Sequence, residues 1–419
     1  MNATVRLTLV RLWMFAAVCP LAAAEEPAKR VAVITTVWRH NSHADVIASR
    51  LVQGYTLDGQ GPRPALQLVS AYVDQFPEND ISRRLAREHG FTLYDTVEGA
   101  LTLGTGRLAV DGVLLICEHG NYPRIATGSI EYPKRRLFSK IIQVFEASGR
   151  VVPVFSDKHL EDDWADIQWI YEQVRRLKIP FLAGSSLPVL WRYPPIDVPR
   201  GQPLRQIVAT SYGPLDAYGF HALEMIQCLV ERRAQGNTWG ENGVRQVQCL
   251  TGQAVWDAGR RGLYDRELMH LATQQLREQP LPAGKTVEEI GTNPTLFVVD
   301  YMDGLRASIL WASPIREFTV AWRSADGSTA ATCFWTQEGR PYMHFTYLLK
   351  GIESLIETGQ PPWPAERTLL TSGMLDALLV SHHAGGRIVP TPHLAISYRS
   401  DWNWQMPPPP PPTRPSSGQ

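Results

Sequence analysis

Two short segments concentrate side chains able to move protons. Cys117-Glu118-His119-Gly120 and Asp157-Lys158-His159-Leu160 each follow an apolar run, Val110 to Cys117 and Val151 to Phe155, that reads as a buried strand. A carboxylate, an amine and imidazoles at the ends of parallel strands would stand at the edge where open α/β sheets bind ligands. Simple surface solvation is the alternative for Glu118 and His119. A lysine such as Lys158 exchanges protons best when burial or a neighbouring cation, here His159, lowers its pKa. Against that stands the reading of a solvated lysine at a strand end. Farther along, Asp216-Ala217-Tyr218-Gly219-Phe220-His221-Ala222-Leu223-Glu224 presents His221, an imidazole whose ordinary pKa suits a general base. The apolar face of the same helix would equally accommodate a packed core histidine.

Metal and nucleophile chemistry are less well supported. His40-x-x-His43 with Asp45 offers three ligands within one turn, and Glu118, His119, Asp157, His159 and His221 could converge as a nitrogen and oxygen set. Neither has the spacing of H-E-x-x-H, and no metal is assigned. His382-His383 reads as structural or surface. A Gly-x-Ser-x-Gly elbow is missing from the sequence, and Ser185-Ser186 comes without an ordered triad.

The elements that must position these residues follow an α/β pattern. Val31 to Thr35, Leu66 to Val73, Val110 to Cys117, Val151 to Phe155 and Phe181 to Gly184 read as strands. Between them run helices from Ser42 to about Gln53, Ile81 to His89, Ser139 to Ser148 and Asp162 to Leu177, with Gly90 and Gly149 as stops. This is a Rossmann-type parallel-sheet domain over 25–190. Prolines between Pro188 and Pro203 mark the crossing to an α+β domain over 191–400 with a largely antiparallel open sheet. That domain carries a strand near Ile207–Ser211 and a helix from Phe220 to Arg233. An Asp303-Gly304 hairpin follows, then strands Glu317 to Trp322 and Ala331 to Trp335, and helices His344 to Thr358 and Glu366 to Ala384. Residues 401–419, with Pro407 to Pro412, read as a polyproline or disordered tail.

The chain has 419 residues, 44% hydrophobic and 20% charged, enough for two packed cores. Forty-one basic side chains balance 41 acidic ones without a basic run, so nothing electrostatic suggests a nucleic-acid or anionic-membrane partner, and no nucleic acid is expected. Arg6, Arg11, the apolar run Leu12 to Leu21 and Ala22-Ala23-Ala24 have the order of a signal peptide cleaved after Ala24. The run is shorter than the roughly 20 residues that span a bilayer. The mature protein is therefore expected in the periplasm or secreted, with no membrane partner. Of 5 cysteines, Cys117, Cys228, Cys249 and Cys333 lie beyond the signal. Export permits one or two disulfides among them, while buried free thiols would pack as small hydrophobes.

Several motifs together resemble the Gfo/Idh/MocA oxidoreductase family. Ser70-Ala71-Tyr72-Val73-Asp74, Ala86-Arg87-Glu88-His89-Gly90 and Tyr94-Asp95-Thr96-Val97-Glu98-Gly99-Ala100-Leu101 are similar to its second strand, the helix after it and a "Tyr-x-Asp-x-x-Glu" segment. Asp157-Lys158-His159-Leu160 resembles its "Glu-Lys-Pro-Leu", and the segment around His221 its "Asp-x-Gly-x-His-x-x-Asp", with the first acid displaced to Asp216. The likeness covers about Val31 to Tyr398. It implies an oxidoreductase that uses NAD or NADP on a sugar, polyol or derivative, with Lys158, His221 and Asp216 catalytic. It further implies cofactor contacts from Thr35, Thr36, Asp74, Cys117, Glu118 and His119, and copies paired through a flat face of the second sheet into a homo-oligomer.

The departures from the family are concentrated where phosphates bind. Its Gly-x-Gly-x-x-Gly gives way to Thr35-Thr36-Val37-Trp38-Arg39-His40-Asn41-Ser42-His43, and the first glycine of the chain is Gly54. Val37 and Trp38 resist the positive φ of such a turn, and Asp45 adds negative charge at the helix start. Arg39, His40 and the hydroxyls of Thr35, Thr36 and Ser42 could hold a phosphate another way. Two further readings stay open: a carbohydrate lyase, isomerase or hydrolase on the same fold, metal-dependent or not, and a non-catalytic sugar-binding protein.

Overall fold

The structure, a computed structural model, describes residues 27–414; the segment read as a signal peptide and the last five residues lie outside the described residues. The first domain alternates strands and helices: β1 (Arg30–Thr35), α1 (His43–Ala48), α2 (Arg50–Gln53), β2 (Gln67–Val73), α3 (Ser82–His89), β3 (Thr92–Leu93) and α4 (Val97–Thr102). It continues through β4 (Gly112–Ile116), α5 (Lys134–Ser148), β5 (Val154–Asp157), α6 (Trp164–Leu177) and β6 (Phe181–Gly184). Its six strands run parallel in the order β3-β2-β1-β4-β5-β6, reversing direction of growth between β1 and β4. Both faces are dry, which explains the unbroken apolar strands. Val31, Val33, Leu114 and Ile116 point into one core, and Ala32, Ile34, Val113 and Leu115 into the other.

The second domain begins with β7 (Trp191–Tyr193), β8 (Leu204–Ser211), α7 (Leu215–Val230) and a small hairpin of β9 (Ala234–Gln235) and β10 (Thr238–Trp239). β11 (Val244–Thr251), α8 (Gln253–Arg260), α9 (Arg266–Thr273) and α10 (Val287–Ile290) precede two hairpins, β12 (Thr292–Tyr301) with β13 (Arg306–Ser313) and β14 (Phe318–Ser324) with β15 (Thr329–Trp335). α11 (His344–Thr358), α12 (Ala365–His383) and β16 (Val389–Pro390) complete it. The sheet order is β16-β11-β12-β13-β8-β14-β15-β7, antiparallel except where β13 meets β8. α7 and α12 pack on the face turned toward the first domain.

Three expectations change. The outer face of this sheet is not bare: Val255, Trp256, Leu268, Met269 and Val287, from the 252–291 segment, cover Val208, Leu296, Val298, Leu310 and Ala321. The flat surface expected to pair copies is thus occupied by the chain's own helices. α11 does not stay with the second domain either. Leu348, Leu349, Ile352, Leu355 and Ile356 join the core beside α1 in the first domain, on the face of Val31 and Val33. The tail is ordered over 401–414, since Trp404 Nε1 donates to Leu190 O at 2.7 Å, and Pro408 O accepts from Trp191 Nε1 at 2.9 Å. Its prolines leave carbonyls free to accept, and here the body of the protein supplies the donors.

Cys117, Cys228, Cys249 and Cys333 are all free and buried, so the small-hydrophobe reading applies rather than disulfides. Among the described residues no helix is long and apolar enough to cross a membrane.

Candidate active site

β4 and β5 end side by side, and the chain turns sharply after each. His119 and Lys158 both adopt left-handed backbone, at φ 68° and φ 62°, without being glycine. Such residues cost of order 1–3 kcal/mol each and collect at functional sites. The N–H of Lys158 donates to Gly184 O at 3.0 Å, which fixes the turn against β6. Gly184 itself must lack a side chain, because a Cβ there would lie 2.3 Å from Glu224 Oε1.

These turns deliver Glu118, His119 and Lys158 into a cavity of about 300 Å³ between the domains. α7 adds His221 and Tyr218 from the opposite side, and the start of α11 adds His344. Glu118 is almost wholly buried and lies between two amines, with Lys158 Nζ 3.0 Å from Oε2 and Lys134 Nζ 3.4 Å from Oε1. Burial alone would push its carboxyl up, yet Lys158 and then Lys134 bring it well below the usual range. Lys134 also donates to His159 O at 2.7 Å, tying the two strand ends together.

The histidines are held neutral by burial. It lowers His119 to about 3, with the nearby His43 adding to the effect. His344 is also lowered to about 3 by burial, then by Arg50. Burial, then Lys158, holds His221 well below its ordinary value. His119 Nε2 and His221 Nδ1 are buried with no hydrogen-bond partner among the described residues, atoms that a bound ligand would satisfy. His43 Nδ1 stands 2.6 Å from Asp157 Oδ2, and its ring meets that of His119 at 5.4 Å.

The cleft therefore gathers Glu118, His119, Lys158 and His221 as expected. It does not gather the others. Cys117 packs in the first-domain core, where burial pushes its thiol well up, and it does not line the cavity. Asp216 lies outside the lining in the first turn of α7, accepting from its neighbour's N–H and facing Arg124 at 3.3 Å. His159 turns its ring to Asp162, 3.0 Å away, and packs on Phe220. Among the described residues no three His, Cys, Asp or Glu side chains are grouped to hold a metal ion. Sequence reasoning missed His344, whose position depends on the return of α11. The sequence places His43 in the loop after β1 and among possible metal ligands, and the structure puts it in the cavity lining beside His119.

A dinucleotide on this fold would run from the cleft across the end of β1. Thr35 Oγ1 donates to Ile116 O at 2.7 Å and Thr36 Oγ1 to Glu118 O at 2.8 Å, so both hydroxyls brace β1 against β4. Trp38 fills the place of a fingerprint glycine, wholly buried on Phe91 with Nε1 bonded to Ser49 Oγ at 3.0 Å. The N–H groups of Arg39 and Asp45 go to Ser42 Oγ, and that of Asn41 to Asp45 Oδ2 at 2.9 Å. Arg340 Nη1 then neutralises Asp45 at 2.7 Å. At the end of β2, both oxygens of Asp74 are engaged, by Tyr72 at 2.7 Å, Tyr122 at 2.8 Å and Arg136 at 2.7 Å. Gln75 and Asn121 exchange two hydrogen bonds, at 2.9 and 3.0 Å, joining the loops after β2 and β4. The unpartnered imidazole atoms fit a ligand in the cleft. The phosphate end does not fit a dinucleotide held in the glycine-fingerprint manner.

No family model matches the sequence, and no curated protein matches it. Solved structures do. A probable dehydrogenase from Thermotoga maritima aligns over 87% of this chain and 99% of its own, at 13% identity and TM-score 0.53. GenD2 from gentamicin A biosynthesis, in complex with NAD, aligns over 89% and 99% at 14% identity and TM-score 0.53. Scyllo-inositol dehydrogenase from Lactobacillus casei, with bound cofactor NAD(H) and scyllo-inositol, aligns over 87% and 99% at 10% identity and TM-score 0.52. Spanning both domains of such proteins nearly end to end, the chain has the two-domain fold of the Gfo/Idh/MocA-type dehydrogenases, with no glycine in the loop after β1.

Proposed function

We propose that this protein is an enzyme of the oxidoreductase fold that acts on a sugar, polyol or related polyhydroxy compound, with proton transfer centred on Lys158. One observation carries the reading: the buried Lys158–Glu118 contact of 3.0 Å opens onto the same cavity as the unpartnered imidazole of His221. Lys158 donates a hydrogen bond to a substrate oxygen and stabilises negative charge as it develops there. Neutral His221, opposite it, accepts the hydroxyl proton. Glu118 keeps Lys158 oriented and offsets the cost of its burial.

The fold likeness to GenD2 and the Lactobacillus casei enzyme supports a dehydrogenase that uses NAD or NADP. Bound in the cleft, the nicotinamide would supply the hydride acceptor. Export, read from Arg6 to Ala24, belongs to the same proposal and calls for a cofactor held tightly enough to leave the cytoplasm. A second reading is supported by the engaged phosphate loop, Asp74 and Gln75–Asn121: Lys158 and His221 carry out a non-redox elimination or isomerisation. The purified protein, denatured, with released small molecules identified by mass spectrometry, separates the two. Stoichiometric NAD or NADP supports the dehydrogenase; an empty protein that fails to bind added dinucleotide overturns it in favour of the second.

A further inference from the structure

The proton-transfer cavity has a neighbour. On the side of β14 and β15 lies a second hollow of about 510 Å³, and the two share Phe318, Thr336 and Glu338 as a common wall. We propose that this hollow is a second sugar subsite, so that the substrate is a neutral disaccharide or glycoside with its reacting ring at Lys158 and its other ring at Trp335. The proposal rests on the polyhydroxy reading above and gives the substrate its size and charge.

The lining has the chemistry of a sugar site. Pyranose rings present apolar C–H faces that lie on aromatic rings, and hydroxyl edges that need acceptors and donors. Half-buried Trp335 and Tyr212 supply the aromatic surface. Each is oriented in advance by a carboxylate: Trp335 Nε1 donates to Glu278 Oε1 at 2.8 Å, and the Tyr212 hydroxyl to Glu338 Oε1 at 2.9 Å. That leaves Oε2 of each glutamate to accept from substrate hydroxyls. Prepaid orientation of this kind raises affinity by lowering the ordering cost of binding.

Charge then selects among sugars. Glu278, Glu317 and Glu338 line the hollow together with one arginine, Arg316. Glu317 is already occupied by the N–H groups of Arg277, Glu278 and Gln279, at 2.9 to 3.1 Å. The surplus of carboxylate disfavours phosphorylated or uronate-bearing ligands.

The test is calorimetric titration of the mature protein with methyl α-glucoside, maltose, cellobiose, lactose and trehalose, repeated on Trp335→Ala, Gln279→Ala and Lys158→Met. At least one disaccharide is expected to bind about tenfold more tightly than methyl α-glucoside. Trp335→Ala should erase that gap without weakening methyl α-glucoside. Gln279→Ala, at an exposed rim position that does not threaten folding, should narrow it, and Lys158→Met should keep it. If methyl α-glucoside binds and no disaccharide binds better, or the gap survives both rim variants, the subsite is overturned and the polyhydroxy reading stands. If none of these sugars binds, both are overturned.

Discussion

Lys158 Nζ stands 3.0 Å from Glu118 Oε2, and Lys134 Nζ faces the other oxygen of the same carboxylate at 3.4 Å. One buried acid thus holds two amines with different duties, since only Lys158 lines the cavity. Lys158→Met should lower turnover by roughly 10²- to 10⁴-fold while the fold survives, because Lys134 still compensates Glu118. Lys134→Met should instead cost about 1–3 kcal/mol of stability, by leaving the buried His159 O without its donor while Lys158 still compensates Glu118. Turnover and urea midpoints of the two variants check this division.

The neutral histidines predict acid sensitivity. An unfolded histidine takes up a proton near pH 6.5, whereas His119 and His344 stay neutral until about 3. Their folded values are depressed, so the stability they contribute is complete above pH 6.5 and lost as pH falls below it. At pH 5 each accounts for about 2 kcal/mol. Urea midpoints at pH 7 and pH 5 should fall less steeply in His119→Gln and His344→Gln than in the parent protein.

Glu224 predicts the opposite slope. Burial raises its carboxyl to about 7, although Ser185 N–H donates to Oε2 at 2.6 Å. The folded state keeps this proton after the unfolded chain has released it near 4.5, so stability falls as pH rises from 4.5 to 7. Glu224→Gln, which needs no proton, should gain up to about 3 kcal/mol relative to the parent at pH 8 and little at pH 4. Thermal melts at both values decide it.

The tail is expected to stabilise the body. Arg192 lies between the rings of Trp404 and Phe334, 4.5 Å from each, and Arg414 bridges to Asp58 at 2.8 Å. Trp404→Ala should cost about 2–3 kcal/mol, and removal of 401–419 should lower Tm by roughly 5–10 °C, read by calorimetry.

Much of the fold was legible in the sequence for physical reasons. Buried parallel strands demand apolar runs, and Gly149 closes α5 in left-handed backbone as its position after Ser148 implies. The helix expected over His344 to Thr358 has those bounds. α8 and α9 escaped notice because each is only eight residues long, about two turns, which gives the apolar repeat too few positions to stand out. The site was legible where strand ends deliver it, at Glu118, His119 and Lys158. It was not legible where long-range packing decides: His344 reaches the cleft only because α11 folds back onto the first domain. Thr35 and Thr36 read as phosphate ligands because hydroxyls near a strand end look available, and the carbonyls that consume them belong to Ile116 and Glu118.

The proposed activity is best probed by incubating the protein in D₂O with neutral sugars, polyols and disaccharides, with and without NAD or NADP, and following products by NMR. Conversion of at least one polyhydroxy compound is expected, abolished in Lys158→Met and retained in Arg87→Ala, an exposed position on α3 outside both cavities. Conversion that persists in Lys158→Met, or no conversion of any such compound, would contradict it.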